Sequence, residues 1–286
     1  MAIAEETRRL PRPPFGELLR LSFQRVFQGI VRQPLVFALA AIGLVAIAIG
    51  YSQFGPAYWS AAMASSGTVG RSLISIAWMV AASAAKLLFL APLSVAMYRF
   101  VLRDETNAWR AVGANLALFF AWSVLFDALT SVLDAMRVLW SVRSVAALSL
   151  AGLGALLITM LGIRLWLIFP AIALGEPAPF FERAAISWRQ TRGYFWYLFW
   201  LDIVVGVALA LPFSLVTMAM TWLTLSRAIA HPHTGLSLAY AVIGAVIGAV
   251  ATTLRTAGNA AMGGSFYRAV INGGLSGVEQ TAEHFT

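Results

Sequence analysis

A chain of 286 residues that is 60% hydrophobic and 11% charged has more apolar side chains than a soluble core needs. This composition excludes an ordinary soluble domain and fits a bundle whose outer surface is apolar as well. The formal net charge of +8 comes from basic residues scattered between apolar runs, which excludes a nucleic-acid surface and turns them into a topology signal, while the lack of cysteine excludes disulfides and thiolate sites.

Residues 1–14, MAIAEETRRLPRPP, read as a flexible cytoplasmic tail, and no cleavable signal is expected. Over 15–33 the pattern becomes helical. Leu19, Phe23, Val26, Phe27 and Ile30 share one face, with Glu17, Arg20, Gln24 and Gln28 on another. That is an interfacial helix, too polar to span but apolar enough on one side to lie among headgroups. Six spans follow, predicted over 34–52, 73–100, 112–133, 145–169, 194–223 and 236–259. The first leads into a loop containing Pro56, Tyr58 and Trp59. Pro92 is predicted to kink the second, and Pro170 to end the fourth. The last span is expected to continue helically toward Tyr267, and 272–286 reads as a polar tail.

Six spans place both termini on one side. Of the 20 Lys and Arg residues, thirteen fall in the N-terminal region, the 99–110 loop, the 183–192 segment and the C-terminal end. Four, namely Arg71, Arg137, Arg143 and Arg227, fall in the opposite loops. Lys86, Arg164 and Arg255 lie inside apolar runs. The asymmetry predicts cytoplasmic termini, and Trp59, Trp109, Trp140, Trp188, Trp196 and Trp222 lie near span ends, as an aromatic belt does.

Between the fourth and fifth spans the chain makes an elbow. Pro179 suits a first helical turn, and Phe181, Ala184, Ala185 and Trp188 recur at helical spacing, with Glu182, Arg183, Arg189 and Arg192 largely elsewhere. Gly193 suits the left-handed stop. The predicted helix, 179–192, is the second interfacial one, with Arg183 and Arg189 turned to water. Its opening Pro-Phe-x-Glu-x4-Ser-Trp echoes Pro14-Phe15-x-Glu17-x4-Ser22-Phe23, and shared start signals with amphipathic spacing are favoured over a duplication.

RLWLIFPAIALGEP followed by SWRQTRGYFWYLFWL, together with MYRFVLRDE at the close of the second span, resembles the bacterial six-span membrane domains found alone or fused to glycerophosphodiester phosphodiesterases. It is also similar to the YciC-like inner-membrane proteins. The resemblance implies the fold and an inner-membrane location. It carries over no catalytic residue, and phosphodiesterase activity is not expected without the soluble domain.

Ionisable groups within the spans are the candidate polar site: Lys86, Asp127, Arg164, Asp202 and Arg255. Counted from the cytoplasmic ends of their helices, Arg164 and Asp202 agree in depth to within roughly 3 Å, which predicts a pair that Arg255 joins. Lys86 is matched with Asp127 or Asp134. Such pairs serve either as clasps between helices or as a substrate or proton path. Gly244-x3-Gly248 is expected to pack within the bundle, and His231-Pro-His233 lacks a third metal ligand.

The expectation is an all-α, six-span, multi-pass protein of the bacterial inner membrane, with no catalytic, cofactor or metal residues assigned. Its partners are the lipid bilayer and other envelope proteins, not nucleic acid, and homo-oligomers are left open. The favoured role is a non-enzymatic scaffold or accessory of envelope or lipid processes. The alternative is a small transporter using Lys86, Asp127, Arg164 and Asp202.

Overall fold

The computed structural model describes residues 14–65, 68–106, 114–140, 145–175, 179–230 and 238–271. The tails expected at the two ends therefore lie outside the described residues apart from Pro14, as does the histidine pair at 231–233. The described residues form nine helices and no strand: α1 (Phe15–Arg32), α2 (Pro34–Ser65), α3 (Thr68–Arg103), α4 (Ala114–Trp140), α5 (Val145–Leu165), α6 (Ile168–Leu174), α7 (Phe180–Gln190), α8 (Phe195–Ala230) and α9 (Leu238–Ile271).

The all-α expectation holds. Val80–Arg103 and Gly152–Leu174 are each long and apolar enough to cross a membrane. Two further segments reach that standard only as bent pairs, Phe15–Arg32 with Pro34–Gly50 at 92° and Phe181–Gln190 with Phe195–Leu209 at 93°. Leu116–Leu129 is a shorter apolar helix. Among the described residues the count is thus two, or up to four if each bent pair is one span.

Several boundaries differ from those read in the sequence. The loop expected around Pro56–Trp59 is helical, and α2 runs on to Ser65. Ala57, Ala61, Ala62, Met63 and Ala64 are strong helix formers, so the chain stays helical after its purely apolar stretch ends. The fourth apolar segment does not stop at Pro170. It breaks earlier, at Trp166 and Leu167, and Pro170 sits in the first turn of α6, where a missing N–H leaves no helical bond unmade. Gly175 ends α6 in the left-handed conformation, φ 74°. Pro92 lies inside α3, which continues through it as one helix.

The core is built around α9, which packs on α1, α2, α3 and α8. Its face of Ala257, Ala260, Ala261, Met262 and Phe266 is fully or almost fully buried. Small residues allow this close approach. A Cβ at Gly258 would overlap Leu209, and one at Gly263 would come within 2.9 Å of Trp166 Nε1 and 3.1 Å of Tyr98 Oη. The pair expected to do this, Gly244 and Gly248, faces outward instead, with open space where each Cβ would go. One apolar cluster joins α9 to α2, α3, α4 and α6, and the other joins it to α1, α5 and α8.

Amphipathic α1 buries Leu18, Ser22, Val26 and Gly29 and leaves Phe27 and Val31 exposed. Its inner stripe is thus rotated from the face expected, and two apolar side chains look away from the bundle. Charge ties α1 and α6 to the C-terminal end of α3. Arg25 pairs with Asp104 at 2.6 Å. Arg99 Nε donates to the Ala173 carbonyl at 2.8 Å, and Arg103 Nη2 donates to Leu174 at 3.3 Å. Both carbonyls belong to the last turn of α6, where the helix has no donors left and its dipole is negative.

The two elbows share a beginning. Pro14 and Pro179 precede their helices at φ −57° and −58°, and each helix turns by about a right angle into a long apolar one. A further long helix follows in both cases. Those helices, α3 and α9, close on Tyr98-Arg99-Phe100-Val101 and Tyr267-Arg268-Ala269-Val270. The echoed serines part company: Ser22 Oγ donates within α1 to Leu18, whereas Ser187 Oγ reaches across to α5.

Candidate functional site

Arg164 lies in the last turn of α5, one residue before the helix ends at Leu165. The break leaves the Arg164 carbonyl without the donor that a continuing helix would supply. Two hydroxyls of the elbow take that place. Ser187 Oγ donates to it at 2.7 Å, and Thr191 Oγ1 lies 3.2 Å from it while sharing its proton with the closer Ser187 carbonyl at 2.8 Å. Ser187 and Thr191 are four residues apart, so they share one face of a helix, and they are 1% and 0% exposed. This suture holds α7 across the end of α5.

The same geometry traps the Arg164 side chain. Its guanidinium carbon is 5.4 Å from the Trp188 ring centroid and 6.0 Å from that of Phe195, both within cation–π range. Trp188 comes from α7 and Phe195 opens α8, so the cation sits in the fold of the elbow. Nε and Nη1 are buried and have no hydrogen-bond acceptor. A guanidinium carries five N–H donors and no acceptor, and leaving buried donors unmet is costly.

A cavity of about 430 Å³ adjoins it, lined by Leu156, Met160, Arg164, Gly193, Phe195 and Trp196. Leu156, Met160 and Arg164 fall at successive i+4 positions and form one stripe of α5. Phe195 and Trp196 are the first two residues of α8, whose N-terminal end carries partial positive charge. Gly193 makes the corner, with φ 92°, a conformation that favours glycine.

The pairing expected between Arg164 and Asp202 is not made, because no salt bridge reaches either side chain among the described residues. Asp202 is half-buried on α8 and feels the charge of Arg255 instead. Arg255, exposed on α9, lies along the same part of α8: its Nε is 3.9 Å from where a Cβ on Gly206 would be. Equal depth sets the height of two residues but not the face of the helix on which each stands. Lys86 is exposed on α3 and forms no salt bridge among the described residues, and Asp127 is half-buried on α4. The side chain of Asp134 lies outside the described residues. Arg164 therefore sits in the elbow, whereas Asp202 and Arg255 form a second locus.

Two expectations for α7 divide. Phe181 and Trp188 are exposed apolar side chains, 81% and 44%, and Arg189 is exposed as expected. Arg183, however, has Nε and Nη1 turned away from solvent. What the sequence reading missed was the role of Trp188 and Phe195 as the flanks of Arg164. The signal was there in the aromatic residues on both sides of Gly193. Among the described residues no group of three metal-ligating side chains occurs. No family model, curated protein or solved structure matches this chain.

Proposed function

We propose that the chain is a non-enzymatic, multi-pass protein of the bacterial inner membrane, with six spans and both termini cytoplasmic, acting as a scaffold or accessory of envelope or lipid processes. The observation that carries this reading is the pair of right-angled elbows. If α2 and α8 stand along the membrane normal, bends of 92° and 93° lay α1 and α7 in the membrane plane. Each then has its outward apolar side chains, Phe27 and Val31 or Phe181 and Trp188, at headgroup level, where an amphipathic helix is stable. Two such helices on one face offer the cytoplasmic side a broad, positively charged surface. The arginine asymmetry supports the same orientation.

The transporter reading, which uses Lys86, Asp127, Arg164 and Asp202, is weaker, because the pair expected between Arg164 and Asp202 is not made among the described residues. Topology is tested by single cysteines, which the cysteine-free chain allows. A cysteine at Ser66 should react with an impermeant thiol reagent added to intact spheroplasts, and one at Gln190 should react only after lysis. The role is tested by purification in mild detergent. Envelope proteins or lipids retained in fixed proportion support an accessory role, and a chain that purifies bare but drives solute uptake in proteoliposomes contradicts it.

A further inference from the structure

We propose that the elbow cavity holds one anionic lipid, its phosphate against the Arg164 guanidinium and its hydrocarbon along Leu156 and Met160. Three features of the site converge on that chemistry. The first is the cation itself, which lines the cavity and forms no ion pair among the described residues. Trp188 and Phe195 stabilise its charge from the flanks, yet neither ring supplies the oxygen atoms that the N–H groups require. Phosphate oxygens supply them with charge as well, and arginine is well suited to phosphate. The second is the first turn of α8, which forms the opposite wall. The positive end of a 36-residue helix adds to the attraction for an anion there.

The third feature separates a lipid from a free anion. The rest of the lining is apolar, and it is open to the side. Leu156 is 49% exposed and Trp196 64%. On α5, Leu153 and Leu157 are exposed beside them at 57% and 64%. A pocket with a cation at one end and an open aliphatic wall leading away from it fits an amphiphile with a negative head. Inorganic phosphate would meet the cation and leave that wall bare. The inference rests on the elbow lying at the headgroup level of the bilayer, but its test is made in detergent and does not depend on which leaflet faces the cytoplasm.

The test is native mass spectrometry of the full chain in mild detergent, supplied with phosphatidylglycerol, phosphatidylcholine or inorganic phosphate at equal concentration. The chain should retain one phosphatidylglycerol, and phosphatidylcholine should be retained about tenfold less. Arg164→Gln should weaken phosphatidylglycerol retention by about tenfold or more, with Arg164→Lys intermediate. Arg192→Gln, which removes an exposed charge at the end of the elbow, should leave it unchanged. If Arg164→Gln does not fold, Leu156→Trp serves instead. It keeps the cation and narrows the apolar wall with a bulkier ring, and it should weaken retention without lowering the thermal midpoint of the lipid-free protein. Equal retention of both lipids, undiminished retention by Arg164→Gln or Leu156→Trp, or retention of inorganic phosphate equal to that of phosphatidylglycerol would each overturn the proposal. The last result would make this a free-anion site.

Discussion

Replacing Arg99 with methionine keeps most of the side-chain volume and removes the guanidinium. In the native protein its Nε donates to the carbonyl of Ala173 at 2.8 Å, and Ala173 is itself fully buried. A hydrogen bond to a charged group contributes about 1.5–3 kcal/mol, and an orphaned buried carbonyl bears the desolvation cost within that figure. The accompanying pair with Glu105 is 3.2 Å long, but Glu105 is 35% exposed, so it adds under about 1 kcal/mol. The expected loss is about 2–3 kcal/mol. At roughly 2–4 °C per kcal/mol for a chain of this class, the thermal midpoint in detergent should fall by roughly 4–12 °C. Arg103→Met is the control. That residue is 49% exposed and its contacts are longer, 3.3 Å to Leu174 and 3.7 Å to Glu105, so its loss should stay under about 1 kcal/mol. Equal midpoints for the two variants would refute the claim that Arg99 closes the end of α6 onto α3.

Other substitutions probe separate joints. Gly263→Ala places a Cβ 2.9 Å from Trp166 Nε1 and should cost about 1–3 kcal/mol by overpacking; Gly248→Ala meets open space and should raise the midpoint slightly through helix propensity. Removing both hydroxyls of the suture, Ser187→Ala with Thr191→Val, should lower local stability by about 1–3 kcal/mol and speed tryptic cleavage at Arg189 and Arg192, and an unchanged cleavage rate would count against the suture. In mutant cycles read by thermal stability, Asp202→Asn should couple with Arg255→Gln and be additive with Arg164→Gln, and the reverse pattern would restore the pairing read from depth alone.

Much of this architecture is legible in the residues because it rests on local chemistry. Pro179 and Gly193 bracket α7 through backbone preferences that need no tertiary context. The apolar runs announce long helices, and their continuation past the runs, as in α2, follows from propensity. The break after Arg164 was not legible. After Arg164 the run LWLIFPAIAL is uniformly apolar, and a helix interrupted inside such a run is fixed by what can satisfy the freed carbonyl, here Ser187 and Thr191 from another helix. The glycines illustrate the same limit. Gly244-x3-Gly248 and Gly258-x4-Gly263-Gly264 all permit close approach, and only the positions of α2, α3 and α8 decide which of them is used. Arg164 was singled out for its charge in an apolar run. Its surroundings depend on helix rotation, which depth counting does not contain.

The orientation of α7 is the point on which the membrane reading turns. Spin labels placed singly at Glu182, Ala185 and Arg189, all exposed and all near one face of the helix, report depth in a bilayer by their collisions with oxygen and with a water-soluble nickel complex. An in-plane helix predicts the same shallow depth for all three labels, at the headgroup level. A helix standing along the membrane normal would instead spread them steadily over about 10 Å at 1.5 Å per residue, and that gradient would contradict the account.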